Sequence, residues 1–303
     1  MGSHRYGRAD KIIGIEISRT ENSLIISQQR CIESILEREN MTDCNAVFTP
    51  VDPKIKILPN PEGNEGSRSN YFAQLLGELQ FLTNATRPDI AFAVNRLASY
   101  TANPTIQHVT ALKRILRYLK GTKSYGIKYS NSPGDKSDTE LFHGFFHGFA
   151  DAAYANTDDY KSTAGYVFMA ARGAITWRSK KQTFTALSTT EAEYVALSEA
   201  AREAYWLRNL YEELGFTQKS PTTIKGDNNG SISMARNPQF HNRAKHIAVR
   251  YHRVRDAISD GIIKIEPCRD PEQTSDILTK ALHRFKHRKH VAEMGMKSTE
   301  EGT

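Results

Sequence analysis

Three cysteines in 303 residues, Cys31, Cys44 and Cys268, form an odd set with no close pair. Such a set argues against a disulfide framework or a structural zinc site and fits a reducing compartment. Long apolar runs are also missing. No stretch approaches the roughly 20 apolar residues of a membrane span, and the opening MGSHRYGRAD lacks the apolar core of a secretory signal. The chain is therefore expected to be soluble and intracellular, with no membrane partner. Acidic residues are outnumbered, 34 against 41 lysines and arginines, for a net charge of +7. That balance favours a polyanionic partner such as nucleic acid. No internal repeat is visible, and the length suits two ordinary domains.

Residues 11–17 and 23–27, two β-rich runs flanking the polar SRTEN, read as a hairpin. Residues 28–38 read as a helix through Ile32, Ile35 and Leu36. Pro50, Pro53, Pro59 and Pro61 break regular structure. Helices are then expected at 71–83, 88–101 and 104–120. The last sets Val109, Leu112, Ile115, Leu116 and Leu119 on one face, with Gly121 as a left-handed C-cap. Its other face carries Lys113, Arg114, Arg117, Lys120 and Lys123, to ride on a phosphate backbone or to stand in solvent. After a strand at 125–129, the polar stretch 130–140 marks a domain boundary. The expected division is 1–135, 141–290 and a tail at 291–303. The second domain reads as strands at 145–151, 163–170 and 174–178, then a helix at 189–214 ended by Gly215. A strand at 222–227, helices at 230–236 and 245–260, a strand at 262–266 and a last helix at 273–282 complete it.

Four carboxylates in that half stand in suggestive contexts: Asp151, Glu193, Asp227 and Asp276. Asp151 closes an apolar strand and Asp227 terminates another, so both would be held at a sheet's exposed end. Carboxylates brought that close need a cation to be tolerated. One strand-end aspartate is an ordinary turn residue, so the weight lies in the set. Ser188-Thr-Thr-Glu191 matches a capping box, which gives Glu191 a structural task on the Ser188 backbone N–H. Glu193, about 200° further round a helix of ~3.6 residues per turn, is left as the ligand. Asp276 lies near a helix start, where the macrodipole favours negative charge with or without a metal. Two divalent ions roughly 3.5–4 Å apart on such acids activate a water for in-line displacement at phosphorus. Mg²⁺ suits oxygen donors of this kind, with Mn²⁺ as the alternative. His143 and His147 share a strand face as a further candidate pair, and the run 283–290 reads either as a phosphate clamp with Phe285 to stack on a base or as a solvated helix end.

The runs KSTAGYVF (161–168), ITWRSKKQ (175–182), ALSTTEAEY (186–194), DNNGSI (227–232), KHI (245–247) with Tyr251-His252, and SDILTK (275–280) resemble the ribonuclease H domain of copia-type LTR-retrotransposon Pol polyproteins. In the first half, GIEI (14–17), residues 71–77 with Leu79, TRPDI (86–90) and RILRYLKGT (114–122) look like the thumb and connection region at the end of the reverse transcriptase of the same polyproteins. The resemblance implies an α/β fold: an RNase H-like mixed five-stranded sheet flanked by helices, preceded by a smaller, mostly helical reverse-transcriptase thumb/connection-like domain. It implies cleavage of the RNA strand of RNA–DNA hybrids, with two Mg²⁺ ions on Asp151, Glu193, Asp227 and Asp276. Asn228, Arg243, Lys245 and His246 would hold the substrate backbone. The implied partners are the hybrid and the upstream polymerase region or other Pol segments, in cytoplasmic virus-like particles with nuclear access. The paired aspartates of the family's polymerase site have no counterpart here, so DNA synthesis by this chain alone is not expected. A histidine common in ribonucleases H is missing from the segment 268–273. The alternative reading is an inactive retroelement-derived module that binds nucleic acid or protein.

Overall fold

The computed structural model describes residues 9–60, 66–130, 145–236 and 248–299. Its first sheet orders β1 (Lys11–Ile12), β2 (Ile15–Arg19), β3 (Ser23–Ser27), β4 (Tyr125–Ser130) and β10 (Met296–Ser298), antiparallel throughout. The run 11–17, expected as one strand, folds back at Ile13-Gly14, with φ of 48° and 76°. Positive φ at both turn residues gives a two-residue hairpin whose twist matches its strands, and Gly14 accepts it without strain. Strand β10 falls in the segment read as tail. It forms because Met296 is buried opposite Ile127 of β4.

Helices α1 (Gln29–Arg38), α2 (Gly66–Ala85), α3 (Ala91–Ala98) and α4 (Ile106–Gly121) bury Ile32, Leu36, Leu79, Leu97, Leu112 and Leu116 in a core of their own. Gly121 is not left-handed. A Cβ there would stand 3.0 Å from that of Ala46, so the glycine serves the close approach of a neighbouring loop, and the helix stops at Thr122. The basic face of α4 is largely spent within the molecule. Arg114 pairs with Asp52 at 3.5 Å, the Arg117 guanidinium donates to the Asn45 carbonyl at 2.7 Å, and Lys123 pairs with Glu33 at 2.8 Å.

The second sheet orders β7 (Gly173–Lys181), β6 (Thr163–Ala170), β5 (His147–Ala153), β8 (Thr222–Gly226) and β9 (Ile263–Pro267). Hairpins make β5, β6 and β7 antiparallel, while β8 and β9 run parallel to β5. Parallel pairing requires crossovers, supplied by α5 (Thr189–Glu213), α6 (Asn229–Arg236) and α7 (Ala248–Ser259). This is the mixed five-stranded sheet that the resemblance implied. Ala192, Ala196, Ala200 and Ala204 recur every fourth residue on α5, all but solvent-free, and let the helix lie close on the sheet. It ends as read. Gly215 takes φ 85°, with Phe216 N–H bonding the Tyr211 carbonyl and Gly215 N–H that of Glu212.

The last helix is not at 273–282 as expected. A 3-10 turn at Thr274–Leu278 is followed by α8 (Arg284–Glu293). Thr274, Ser275 and Asp276 have short polar side chains that compete with helical bonding, and the Gln273 side chain is drawn away to the Ala150 carbonyl at 3.0 Å. A further core, with Ile127, Phe149, Val167, Met294 and Met296, joins the two sheets. Trp177 fastens the seam by donating to the Thr83 carbonyl at 2.8 Å.

Candidate metal centre

Asp151 sits inside β5, opposite Gly165, and not at a strand end as expected. Only 2% of it is exposed. Strand β8 runs beside β5 in parallel, with Phe149 paired to Lys225. Two residues further on, the period-2 alternation returns to the same face, so Asp151 and Asp227 stand side by side. Asp276 reaches them from the 3-10 turn, which packs on β5 and β6. One carboxylate oxygen from each of Asp151, Asp227 and Asp276 lies within 4.8 Å of the other two.

Glu193 stands outside that group of three. It comes from the first turns of α5 and accepts the Ala152 N–H at 3.1 Å, one residue beyond Asp151. Glu191 has the capping task read for it, with one change. Ser188 accepts the Glu191 N–H at 3.1 Å, while the Glu191 carboxylate takes the N–H of Leu187, not of Ser188, at 2.8 Å.

Side chains that sequence reasoning did not single out complete the site. Lys280 Nζ lies 2.7 Å from Asp276 and 3.8 Å from Asp151. Lys286 Nζ lies 2.5 Å from the other Asp276 oxygen and 2.8 Å from Asp270. The Thr279 hydroxyl donates to Asp151. Gln273 accepts the Ser275 hydroxyl at 2.9 Å and pins the turn to β5. Lys280 carried a signal, since it follows Asp276 by four residues. Lys286 belongs to the basic run 283–290, where nothing local distinguishes it from its neighbours.

Burial raises the Asp151 carboxyl to about 7, opposed by Lys280 and reinforced by Asp276 and Asp227. Burial, then the charges of Asp151 and Asp227, lift Glu193 to about 10. Asp227 is raised as well, by burial and by Asp276. Burial works against the Lys280 ammonium, yet Asp151, Asp276 and Asp227 outweigh it and hold its pKa above the ordinary value. Crowded carboxylates that retain protons when no cation is near, with hard oxygen donors alone, are a donor set that fits Mg²⁺ or Mn²⁺.

Asn228 follows Asp227, but its side-chain oxygen accepts the Ser231 N–H at 2.8 Å and caps α6. Arg243, Lys245 and His246 lie outside the described residues, as does His143. His147 is largely enclosed beside Lys225, and burial lowers it to about 4, so it is neutral near pH 7. In α8, His287 and His290 are buried, whereas Phe285 is exposed. A groove of about 830 Å³ is lined by Lys128, Arg172, Lys225 and Lys297 together with His147, Phe149, Glu272 and Glu293, and by none of the three aspartates.

No family model matches the chain. It is 38% identical over 285 residues to the retrovirus-related Pol polyprotein from transposon RE1 of Arabidopsis thaliana, covering 94% of this chain and 19% of that one. It is 36% identical over 288 residues to the corresponding polyprotein from transposon TNT 1-94 of Nicotiana tabacum, covering 92% and 21%. The chain thus spans about a fifth of the length of these relatives. It is also 41% identical over 137 residues to secreted RxLR effector protein 161 of Plasmopara viticola, covering 45% of this chain and 90% of that one. Among solved structures, RNase H1 from the halophilic archaeon Halobacterium salinarum NRC-1 aligns with a TM-score of 0.33 at 16% identity, over 44% of this chain and 93% of that one. The foamy viral protease-reverse transcriptase in complex with double-stranded DNA aligns with a TM-score of 0.43 at 13% identity, over 85% and 37%.

Proposed function

Because the chain belongs to the family of retrovirus-related Pol polyproteins of transposons, we propose that it is the ribonuclease H part of such a polyprotein and hydrolyses the RNA strand of an RNA–DNA hybrid. The observation that carries this reading is the meeting of Asp151, Asp227 and Asp276 from three separate elements, with their oxygens within 4.8 Å. A divalent ion on these oxygens supplies charge to activate water and to stabilise the oxygen that leaves phosphorus. Asp151 and Asp227 would hold it on the rigid strands, Asp276 from the turn, and Glu193 from α5. The Ala152 N–H orients the Glu193 carboxylate. Burial of Asp151 and Asp276, with Asp227 half-buried beside them, strengthens the charge interactions there. The groove that Lys128, Arg172, Lys225 and Lys297 line suits a nucleic-acid backbone, and its Phe149 and Lys225 lie two residues from Asp151 and Asp227 along the chain. Selection of a hybrid would rest on 2′-hydroxyl contacts to one strand.

The test is cleavage of a labelled RNA–DNA hybrid with Mg²⁺, beside Asp151→Asn. The variant should lose more than roughly 100-fold in rate, beyond the 10–100-fold that substitutions around a ligand shell cost. Equal cleavage by both points to a contaminating nuclease. No cleavage by either leaves a module that binds nucleic acid or protein.

A further inference from the structure

An exposed aromatic ring standing alone is ordinary, but at the junction of α4, α8 and the loop after α1 two such rings meet an arginine. Phe285, on the first turn of α8, is 85% exposed, more than any other large apolar side chain among the described residues, and Phe48 is 64% exposed. Arg284, the residue before Phe285, joins them. Its guanidinium stands 3.5 Å from the centre of the Phe48 ring and covers one face, so the exposure that Phe48 retains belongs to the other face. Arg284 and Arg288, one helical turn apart and both exposed, have no carboxylate partner among the described residues. The Phe48 segment is held from behind: Val47 N–H bonds the Arg117 carbonyl at 3.4 Å, and the Arg117 guanidinium donates to the Asn45 carbonyl at 2.7 Å. Helix α8 in turn packs on the 3-10 turn that carries Asp276 and, through His287, on Tyr118 of α4.

We propose that Phe48, Arg284 and Phe285 form a stacking platform for the unpaired bases of a nucleic-acid single strand, with Arg284 and Arg288 taking its phosphates. An unpaired base has a free π-face, which an open aromatic face accepts whatever the sequence. Bases inside a duplex are stacked on one another already and have none to offer. The guanidinium on the far face of Phe48 adds a cation–π contribution to the stack. Charge selects the occupant. An apolar protein surface laid over the rings would bury two guanidinium groups without counter-charge, whereas a single strand brings π-faces and phosphates together. The backing of Phe48 by α4 presents its ring already ordered, which lowers the entropy cost of binding. The platform needs no metal ion, and within the reading above its strand is the unpaired continuation of the hybrid.

The experiment is fluorescence anisotropy on the full chain in EDTA at fixed ionic strength. The probes are labelled oligouridylate, oligodeoxythymidylate and a blunt-ended RNA–DNA hybrid of equal length. Phe48→Ala and Phe285→Ala should each weaken both single strands by about 5–100-fold and leave the hybrid within about twofold, because only the single strands use the rings. Phe285→Trp, with a larger stacking face, should hold both single strands at least as tightly as the wild type. Single strands that bind the alanine variants as well as the wild type, or that fail to bind the wild type, overturn the platform. So does a loss shared equally by the hybrid, which would report altered charge or fold, and so does a loss confined to one single strand, which would place recognition on the sugar. Both rings lie outside the core, so melting temperatures should stay at the wild-type value. Should Phe48→Ala lower it, Phe48→Leu, which keeps bulk but removes the π-face, carries the same expectation. Hybrid cleavage with Mg²⁺ is measured separately, so the failure of either reading leaves the other standing.

Discussion

Asp151 at about 7 and Glu193 at about 10 retain protons that a cation must displace. Metal uptake should therefore release protons and tighten as pH rises. Calorimetric titration with Mn²⁺ in buffers of different ionisation enthalpy is expected to show proton release, with affinity climbing from pH 6 to 9. An affinity flat with pH would contradict the assignment of these acids as ligands. A different physics governs Arg87, fully buried with its guanidinium 2.7 Å from Asp89. Burial alone would raise Asp89, but Arg87 and the Tyr118 hydroxyl hold it below the usual carboxylate range. Arg87→Met strands that charge, and urea unfolding should show a loss of about 3–5 kcal/mol. TRPDI at 86–90 attracted notice through family resemblance. Its physical content is this pair, which a sequence cannot display because nothing local says that both ions are buried.

Among the elements, the 3-10 turn at Thr274–Leu278 governs the candidate site, because it carries Asp276 and leads to Lys280. It rests on β6 at Gly165, where an added Cβ would stand 2.8 Å from Leu278 Cβ and Thr279 Cγ2. Gly165→Ala must push the turn outward at a cost of about 1–3 kcal/mol, and should weaken Mn²⁺ binding as Asp276 withdraws. Melting temperatures with and without Mn²⁺ separate the two effects: an unchanged Mn²⁺-induced shift would mean that the turn moves without its carboxylate. The sequence reads as a helix over 273–282, and Ile277 and Leu278 are buried in the tighter turn that forms instead. Whether the turn tightens is settled by Gln273, whose side chain bonds Ala150 in another element. The capping of α5 was legible by contrast, since Ser188, Glu191 and Gly215 act within a few residues of themselves.

Over the whole molecule, α8 ties the end of the chain back to its first half. His287 packs edge-on against Tyr118, with ring centroids 5.3 Å apart, beside the Arg87–Asp89 pair. Burial lowers His287 to about 4, against the weaker upward pull of Asp89. Its folded pKa lies below the ordinary histidine value, so the folded state binds its proton less readily than the unfolded chain. The associated stability is complete above about pH 6.5 and is lost as pH falls towards 4. Thermal melts are expected to drop across that window, and His287→Phe should flatten the drop. A profile unchanged by that substitution would remove His287 as the cause. Met296 and Ile127 close the same seam, and strand β10 was not foreseen because three residues carry too little pattern to announce a strand.

What the chain's order of residues determined by itself is whatever acts over short range. That covers most strands and helices, the cap and stop of α5 and the identity of the crowded aspartates. Tertiary structure decided how those groups meet. Asp151 bonds Thr279 across 128 positions and Ala150 bonds Gln273 across 123, and the lysines that crowd Asp276 arrive with that same segment. Periodicity reports which face of an element is apolar, whereas the partner of a buried charge depends on the packing of elements far apart in the chain, and that is set only when the sheets and the final turn close on one another.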